Sequence, residues 1–379
     1  MNISFNKPYL TGKETHYMYD AVNIGKLSGN GKYTQKCQKW FEETYGFGKC
    51  LLTTSCTDAL EMAAILIDIQ PGDEVILPSY TFVSTANAFV LRGAKLVFAD
   101  SRKDHPGIDE ASIKALITPK TKAIVPVHYA GVACDMDVIM DIAQKHGLFV
   151  VEDAAQAIDS YYTGRDGVKR ALGSIGHLAA FSFHETKNII SGEGGMLAIN
   201  DMQFAKRAEI IWEKGTNRSS FFRGEVDKYG WVDVGSSFLP SEVIAAFLWA
   251  QLEKIQDIQM RRRIIWDTYS NGLKTWAERH NIGLPSVPNF ASNNAHMFYL
   301  VFRNLEQRSY IIDKLKSNNV LAVFHYISLH TSPFYEGKHD GRLLPETNRY
   351  TDCLLRLPMY YDLEQEHQEF IIKILLDEK

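Results

Sequence analysis

Two side chains in the middle of the sequence, an aspartate and a lysine, are its main candidates for catalytic chemistry. Asp153 is the second of two carboxylates that end the apolar run Val150-Val151, and Lys187 follows another apolar run, Leu178–Ser182. A carboxylate that ends a buried strand is costly unless it is paired or functional. The carboxylate pair could also bind a ribose or a metal ion. A loop lysine is usually solvated surface, but one that faces the same sheet edge as Asp153 could act as a nucleophilic amine.

Small hydroxyl residues open a helical pattern earlier in the chain. The stretch is Thr54-Ser55-Cys56-Thr57-Asp58, and it directly follows a predicted strand. The free N–H groups of a helix N-terminus, together with nearby hydroxyls, form a phosphate site. Thr57 could instead be a simple N-cap, which is the commoner role for such a residue. Phe82, after the next strand, could cover a planar ligand, although a phenylalanine more often packs in a core.

These four features together match the requirements of one cofactor. Pyridoxal phosphate needs a lysine that holds it as a Schiff base and an aspartate that keeps its ring nitrogen protonated. It also needs a phosphate site and an aromatic side chain over the ring. Each feature is weak alone, but their order along the chain makes the set specific, so the sequence predicts a site for pyridoxal 5'-phosphate with Lys187 as its catalytic residue.

The elements that must position these residues follow from the hydrophobic pattern. Short apolar, β-branched runs alternate with amphipathic helical stretches such as Asp58–Ile67, Asp109–Ile117 and Met136–His146, which predicts an α/β fold with a mainly parallel, doubly wound sheet. The ligands of such folds bind at the carboxyl ends of the strands. Seven strands are predicted, namely Cys50–Thr53, Glu74–Leu77, Lys95–Phe98, Ala123–Val127, Leu148–Glu152, Leu178–Ser182 and Met196–Ile199.

The pattern of predicted helices and strands changes after Pro240. Two long helices are predicted, Ser241–Ile255 and Gln259–His280, followed by short strands at Met297–Phe302 and Val320–His325 and a polar loop at Phe334–Asn348. This pattern predicts a smaller C-terminal α+β domain. We divide the chain into residues 1–25, an N-terminal segment that packs with the small domain, residues 26–255, the large cofactor-binding domain, and residues 256–379, the small domain.

The composition excludes several classes of protein. Lys+Arg total 41 and Asp+Glu 45, a net charge of −4 without clusters, so no basic face for nucleic acid is expected. The longest apolar runs are far shorter than the roughly 20 residues that span a bilayer, and the N-terminus lacks the pattern of a signal peptide. Five cysteines without a CxxC pair indicate neither a disulfide framework nor a zinc site. A cytoplasmic protein without membrane contact is therefore expected.

Over nearly its whole length the sequence resembles the DegT/DnrJ/StrS family of nucleotide-sugar aminotransferases. The resemblance implies the aspartate-aminotransferase-like (type I) fold, with a seven-stranded mainly parallel sheet, helices on both faces and a smaller C-terminal α+β domain. It is strongest to the family branch that makes dTDP-4-amino-4,6-dideoxygalactose, which serves enterobacterial common antigen synthesis. The stretches that carry it are LLTTSCTDALEMAA, QPGDEVILPSYTFVSTANAFVLRGAK, VPVHYAGVACDMD, FVVEDAAQA, FSFHETKN, EKGTNRSSFFRG and NAHMFY.

The resemblance also implies roles for individual residues. Lys187 matches the Schiff-base lysine, Asp153 the partner of the ring nitrogen, Gln156 the side chain beside the phenolic oxygen and Phe82 the stacking aromatic. Phosphate contacts are implied for three further residues: Cys56, Thr57 and Ser182.

The sequence departs from the family pattern in one place. The usual Gly-x-Asn-x-Arg reads here Gly235-Ser236-Ser237-Phe238-Leu239. Family members are homodimers with composite sites, in which the Asn of this pattern reaches the phosphate bound in the neighbouring subunit. Ser237 takes its place. Serine can also donate a hydrogen bond but is shorter than asparagine, so the sequence does not decide whether the cross-subunit phosphate contact is kept.

The implied substrates are glutamate and a keto-sugar nucleotide. The expected reaction converts dTDP-4-keto-6-deoxyglucose to dTDP-4-amino-4,6-dideoxygalactose. Alternatives are the 4-amino gluco epimer, a 3-amino-3,6-dideoxyhexose, or a non-catalytic sensor that binds the cofactor. A Rossmann oxidoreductase is set aside because no Gly-x-Gly-x-x-Gly follows the first strand. No metal is expected, and the candidate substrate contacts are Arg218, Phe222 and Arg223 for the nucleotide diphosphate, and His325 and Tyr326 for the sugar.

Overall fold

Eleven strands are present in the computed structural model, which describes residues 2–377. All seven predicted strands are among them, with ends that differ by a few residues. In chain order the strands are β1 Lys49–Thr53, β2 Glu74–Pro78, β3 Lys95–Ala99, β4 Thr121–Ile124, β5 Phe149–Asp153, β6 Tyr161–Thr163, β7 Lys169–Ala171, β8 Leu178–Ser182, β9 Gly195–Ile199, β10 Tyr299–Val301 and β11 Leu354–Arg356.

Thirteen α-helices surround or extend the sheet in the described residues. They are α1 Glu14–Ile24, α2 Lys32–Tyr45, α3 Cys56–Leu66, α4 Val83–Val90, α5 Glu110–Leu116, α6 Met136–His146, α7 Ala205–Trp212, α8 Arg218–Phe222, α9 Glu242–Leu252, α10 Ile255–His280, α11 Leu305–Ser317, α12 Pro345–Cys353 and α13 Gln365–Leu376. Three short 3₁₀ turns lie at Tyr129–Gly131, Met202–Phe204 and Leu329–Thr331.

The large sheet has seven strands in the order β1-β9-β8-β5-β4-β2-β3. Every neighbouring pair from β8 to β3 is parallel, and only β9 runs against its neighbours β1 and β8. Strands β1, β5 and β8 therefore end at the same edge of the sheet. Gly195, the first residue of β9, lies opposite both Thr53 and Ser182 at that edge.

Both faces of the sheet are covered, as the doubly apolar strands require. On β5, Val150 packs in one core with α2, α6 and α9, while Val151 packs in the other core with α3, α4 and α7. This alternation follows from the two-residue repeat of a strand, which sends successive side chains to opposite faces. Rigid packing on both sides fixes the edge where the strands end.

A third apolar core forms the smaller C-terminal part of the molecule. It gathers the later turns of α10 (Ile265, Tyr269), β11, α11 and α13, and it includes Ile3 from the N-terminal segment. The first turn of α10 contributes Ile255 and Ile258 to a core of the large sheet. One 26-residue helix thus connects the two cores. The division at residues 25 and 255 stays a prediction.

Two predictions for the C-terminal region were wrong in detail. The segment Val320–His325 is not a strand, because its residues pair with two different partners, Val320 with Ile3 and Val323 with Arg356. The polar segment predicted as a loop to Asn348 is shorter, because α12 begins at Pro345. Proline is well suited to the first turn of a helix, where its missing N–H costs nothing.

Candidate active site

A cavity of about 830 Å³ opens at the edge where β1, β5 and β8 end. Most of the predicted cofactor residues line this cavity, together with side chains of the small domain. The lining residues that matter for the chemistry are Ser55, Cys56, Thr57, Phe82, Asp153, Gln156, Ser182, Lys187, His296, His325, Tyr326 and Arg356. The site therefore lies between the large sheet and the small domain.

One end of the cavity is the N-terminus of α3. Ser55 is the N-cap of α3, and its hydroxyl accepts a hydrogen bond from the Asp58 N–H at 3.1 Å. The alternative in which Thr57 is the N-cap is therefore wrong. The Thr57 hydroxyl instead donates to Ser84 Oγ at 2.8 Å. Gly195 packs so tightly here that a β-carbon would come within 2.4 Å of the Cys56 nitrogen. This end presents backbone N–H groups and hydroxyls, which is the donor set of a phosphate site.

Asp153 is fixed at the floor of the cavity. The side chain is 5% exposed, and its two carboxylate oxygens accept from Thr85 Oγ1 at 2.6 Å and from the Ala155 N–H at 3.1 Å. Thr85 also lies 2.9 Å from the Thr81 hydroxyl, which holds its own side chain in place. A buried carboxylate with these fixed neutral partners retains capacity for a cationic partner in the cavity.

The orientation of the Gln156 amide is set by its neighbours. Its carbonyl oxygen accepts from the Ala130 N–H at 2.6 Å, so its NH₂ group must point the other way. That NH₂ donates to the Tyr326 hydroxyl at 3.1 Å, on the cavity side. Gln156 thus offers donors rather than acceptors to a ligand, which suits a phenolate oxygen.

Lys187 projects into the cavity from the loop after β8. Among residues 2–377 its ammonium group has neither an ion-pair partner nor a hydrogen-bond partner. Burial lowers the pKa of this amine, and the neighbouring Cys56 and Asp153 act in the opposite direction. A lysine with a lowered pKa is more often neutral at physiological pH, which a nucleophile or general base requires.

The backbone around Lys187 is anchored by a buried polar network. The side-chain amide of the next residue, Asn188, donates to Gln259 Oε1 at 2.8 Å and to the Asn294 backbone carbonyl at 2.9 Å, and its Oδ1 lies 2.8 Å from His296 Nδ1. Burial holds the pKa of His296 well below its usual value, so its ring is neutral and Nδ1 carries the proton toward Asn188. The network fixes the loop that carries Lys187.

Aromatic side chains cover the open side of the cavity. Phe82 is 55% exposed, and its ring centre lies 6.0 Å from that of Tyr326. His325 precedes Tyr326 in the same wall, and burial lowers its pKa, with Arg356 acting in the same direction. Phe82 is therefore a cavity residue rather than the core residue that its type alone would indicate.

Four of the predicted contacts lie outside the cavity of their own chain. Ser237 is exposed and pairs through its backbone with Glu213. Arg218, Phe222 and Arg223 belong to an exposed segment, residues 214–235, which we call the aromatic loop. The roles predicted for these four residues stay predictions.

Among the cavity residues that sequence reasoning did not single out are Phe5, His296 and Arg356. Arg356 had a visible signal, because it interrupts the apolar run Leu354-Leu355-Arg356-Leu357. His296 lies within the family stretch NAHMFY, although its place in the cavity could not be read from it. Phe5 gave no signal, since a phenylalanine near the N-terminus has no local feature that marks it as a cavity residue.

The side chains present fit pyridoxal phosphate. The start of α3 offers phosphate donors, Asp153 offers a buried carboxylate for the ring nitrogen, and Gln156 offers an NH₂ for the phenolic oxygen. Phe82 stands free to stack, and the Lys187 amine is without a partner in the described residues. These groups would hold the cofactor, and Lys187 would bind it covalently.

Comparison with known proteins agrees with this geometry. The profile of the DegT/DnrJ/EryC1/StrS aminotransferase family matches residues 8–376. The chain belongs to this family. The spore coat polysaccharide biosynthesis protein SpsC of Bacillus subtilis is 32% identical over 389 aligned residues, which cover 99% of this chain and 96% of SpsC.

Solved structures of aminotransferases have the same fold. The aminotransferase TlmJ from Streptoalloteichus hindustanus is 28% identical with a TM-score of 0.90, covering 99% of this chain and 98% of TlmJ. The sugar aminotransferase Spr1654 from Streptococcus pneumoniae, in its PLP form, is 25% identical with a TM-score of 0.89, with the same coverage. The type I fold is thus confirmed, and the protein is a pyridoxal-phosphate-dependent aminotransferase.

In the part of the chain that the structure describes, residues 2–377, no cluster of three or more His, Cys, Asp or Glu side chains is arranged to hold a metal ion. No helix in this part of the chain combines the length and apolarity that a membrane span requires.

Proposed function

We propose that the protein transfers the amino group of glutamate to a keto-sugar nucleotide, and specifically converts dTDP-4-keto-6-deoxyglucose to dTDP-4-amino-4,6-dideoxygalactose. The observation that carries the proposal is Lys187, whose amine has no partner among residues 2–377 and faces a cavity of about 830 Å³. That volume accommodates a cofactor and a sugar together. The choice of sugar rests on the sequence resemblance described above.

The side chains of the cavity have distinct roles in this reaction. When bound, pyridoxal phosphate supplies the electron sink that lets the α-proton of an amino acid leave. The carboxylate of Asp153 keeps a proton on the ring nitrogen. The neutral amine of Lys187 takes the proton from the α-carbon of glutamate, and its lowered pKa suits it to this task.

The same amine decides the stereochemistry of the product. In the second half of the reaction Lys187 delivers a proton to the sugar carbon that bears the new nitrogen. The proton is therefore added to the face of the sugar that is turned toward Lys187, and the new amino group lies on the opposite face. The galacto and gluco poses differ only in which face of the sugar is turned toward Lys187. His325 and Tyr326 line the cavity and are suited to select the galacto pose.

We further propose a homodimer in which the aromatic loop reaches the site of the other subunit. Trp231 is 84% exposed and Phe222 is 69% exposed in the single chain. Such a concentration of uncovered aromatic surface is typical of an interface. Ser237 lies next to this loop, which supports its proposed contact with the phosphate bound in the partner subunit.

Within the aromatic loop the two arginines are not equivalent. Arg223 is engaged with two carboxylates, 2.9 Å from Glu209 and 2.6 Å from Glu225. Arg218 has no ion pair among the described residues, and its guanidinium lies 5.2 Å from the centre of the Phe222 ring. These contacts favour Arg218 as the residue that binds the nucleotide diphosphate and Arg223 as the residue that anchors the loop.

The test is to incubate the holoenzyme with L-glutamate and dTDP-4-keto-6-deoxyglucose and to determine the product by proton NMR. The galacto amine places H4 equatorial and gives small couplings to H3 and H5, whereas the gluco epimer places H4 axial and gives large ones. The Lys187→Ala protein serves as the control that separates enzymatic from spontaneous products. If the product is a 3-amino sugar or the gluco epimer, the proposed product is wrong. If no keto-sugar nucleotide is aminated, the protein is better explained as a non-catalytic sensor.

A further inference from the structure

One buried histidine of the cavity uses only one of its two ring nitrogens among residues 2–377. His296 is 4% exposed and lines the cavity together with Lys187. Its Nδ1 lies 2.8 Å from Asn188 Oδ1, whereas its Nε2 has no hydrogen-bond partner in the described part of the chain. This Nε2 is not enclosed by protein atoms, so on a residue that lines the cavity it is open to the cavity. The nitrogen is thus available to a group inside the site.

The two other buried histidines of the described chain use their rings differently. His128 satisfies both ring nitrogens, because its Nε2 lies 2.8 Å from Glu152 Oε2 and its Nδ1 accepts from the Cys134 N–H at 3.3 Å. In His105 the Nδ1 accepts from a backbone N–H at 2.9 Å, and the Nε2 is enclosed by protein atoms. Both rings therefore have structural roles. Of these three histidines, His296 alone combines a fixed ring with a nitrogen that opens to the cavity.

The position of the proton on His296 is set by a chain of hydrogen bonds that starts at a carboxylate. The carboxylate of Asp159 can only accept, and the Gln259 amide nitrogen donates to it at 3.3 Å. Gln259 must then accept at Oε1, 2.8 Å from the amide nitrogen of Asn188. Asn188 in turn accepts at Oδ1, so the ring of His296 carries its proton on Nδ1. Nε2 is therefore an acceptor with a free lone pair.

The ring is also held in place through its backbone. The His296 N–H donates to Asn294 Oδ1 at 3.0 Å, and the His296 carbonyl accepts from Arg262 Nη2 at 2.6 Å. Asn294 itself donates to the Gln156 carbonyl at 2.8 Å. Since Asn188 fixes the ring and these contacts fix the backbone, Nε2 keeps its direction. A preorganised acceptor needs no rearrangement when its donor arrives.

We propose that His296 positions the amine of Lys187 during proton transfer by accepting a hydrogen bond from it at Nε2. This inference rests on the proposed function, in which Lys187 is the group that moves the proton. Lys187 and Asn188 are neighbours in the chain, so one short loop carries both the amine and the anchor of the histidine ring. An ammonium held by a neutral acceptor keeps its direction until its proton is delivered.

The low proton affinity of the ring suits it to this role. Burial lowers the pKa of His296 well below its usual value, and after burial the charge of Lys187 has the largest effect in the same direction. The two groups are therefore close to each other in the cavity. A ring with such a low pKa accepts a hydrogen bond from the ammonium without taking the proton from it.

Two other groups near the amine are poorer acceptors. Both carboxylate oxygens of Asp153 already accept, from Thr85 Oγ1 at 2.6 Å and from the Ala155 N–H at 3.1 Å, and the remaining capacity serves the cofactor ring. Burial raises the pKa of the Cys56 thiol well above its usual value, so its sulfur stays protonated and is a weak acceptor. The free lone pair of the imidazole is the stronger acceptor.

The first experiment compares two substitutions that separate the roles of the two ring nitrogens. In His296→Asn the amide nitrogen takes the place of Nδ1, so the bond to Asn188 is kept and the acceptor at Nε2 is lost. In His296→Gln the longer amide can supply an oxygen at the place of Nε2. Conversion of the holoenzyme by glutamate in a single turnover is followed by cofactor absorbance, with thermal unfolding as the check of the fold.

We expect His296→Asn to slow this conversion about 10- to 100-fold, the effect of one hydrogen bond to a charged group, and His296→Gln to recover part of the rate. The exposed His146→Asn, at the end of α6, is the control and should match the unmodified enzyme. A normal rate for His296→Asn would overturn the proposal.

The second experiment leaves the histidine unchanged. Nitrogen-15 NMR reads the tautomer and the hydrogen bonding of each histidine ring in the aminated cofactor form of the holoenzyme, in which Lys187 is unattached. The ring of His296 should carry its proton on Nδ1, and its Nε2 signal should shift in Lys187→Ala but not in the exposed Lys274→Ala. A proton on Nε2, or an unchanged signal in Lys187→Ala, would contradict the inference without any change at the histidine.

An isotope effect separates a positioning role from a merely structural one. Glutamate that carries deuterium at the α-carbon slows only the step in which the proton moves. Because His296→Asn should slow that step alone, its isotope effect should equal or exceed that of the unmodified enzyme, and Kd for glutamate should stay within about twofold. A smaller isotope effect together with a raised Kd would instead indicate a distorted substrate site and overturn the proposal.

The second half-reaction separates the remaining outcomes. Lys187 moves a proton in both halves, so His296→Asn should slow the amination of the keto-sugar nucleotide by a similar factor. A loss confined to that half would assign Nε2 to a hydroxyl of the sugar and overturn the inference, while the proposed function stands. An unmodified enzyme that never reacts with glutamate would instead refute the proposed function.

Discussion

The wall of the cavity and the aromatic loop both carry cations and aromatic rings, but they hold them in opposite ways. In the wall, polar side chains such as Asp153 and Gln156 are fixed by two hydrogen bonds each. In the loop, Trp231 and Phe222 are largely uncovered by their own chain. These wall side chains find their hydrogen-bond partners within one chain, whereas the loop exposes apolar surface that only another surface can bury.

Function can be assigned from a single chain in the wall but not in the loop. A cation without a partner in a rigid wall, such as Lys187, indicates a ligand because the wall cannot move to satisfy it. An arginine without an ion pair in an exposed loop, such as Arg218, is solvated in the single chain, so it can bind the diphosphate only where the assembly brings the loop to a site. Its role depends on what the loop contacts in the assembly.

Replacing Lys187 by alanine should give the largest effect of any change in the wall. The substitution removes both the covalent anchor and the general base, so we expect the overall rate to fall by at least about 10³-fold. Rates of both half-reactions, with cofactor content measured by absorbance, test this. The exposed Lys274→Ala on α10 is the matched control and should retain full activity. Substantial transamination by Lys187→Ala would show that another group moves the proton.

Asp153→Asn should rank second. The amide keeps the shape and the Thr85 contact but cannot hold a proton on the cofactor ring, so we expect a loss of roughly 10²- to 10⁴-fold. Thermal unfolding should show that the fold is intact, and the exposed Asp267→Asn should behave as the unmodified enzyme. Activity within about twofold of normal would mean that Asp153 is not the partner of the ring nitrogen.

The two arginines of the aromatic loop should differ. Arg218→Ala should raise KM for the keto-sugar nucleotide by about 10- to 100-fold, the value of one charge-assisted phosphate contact, and leave the glutamate half-reaction unchanged. Arg223→Ala removes surface ion pairs, which are worth at most about 1 kcal/mol, so its effect on KM should be less than about fivefold. Large and equal increases in KM for the two variants would show that both arginines bind the diphosphate. If neither variant changes KM, the loop is only solvated surface.

Trp231→Ser should weaken the proposed dimer, with the smallest effect of the four. A large aromatic side chain at an interface commonly contributes more than 1 kcal/mol, so we expect the dimer dissociation constant to rise about tenfold. Sedimentation over a range of concentrations measures it. Tyr310→Ser, an exposed aromatic residue on α11, is the control and should leave the dissociation constant unchanged. A fully active monomer of the unmodified protein would refute the composite site.

The sequence predicted the regular part of the fold because its signals are local. Each strand of the large sheet is a short apolar run, and helix α6 was predicted at its observed bounds, Met136–His146. Similar local signals predicted that Asp153, Lys187 and the start of α3 share one edge of the sheet, because they lie at or after the ends of β5, β8 and β1. Seven of the eight predicted cofactor residues line the cavity, and the exception is Ser237.

Local sequence patterns thus predict which residues end the strands of one sheet and so share an edge. They do not predict which residues from distant parts of the chain pack at that edge. The reversed direction of β9 and the placement of the aromatic loop outside the cavity belong to the large domain, whereas the presence of Arg356 and Phe5 in the cavity depends on how the small domain packs. Such contacts arise from long-range packing of side chains, for which neighbouring residues in the sequence carry no periodic signal.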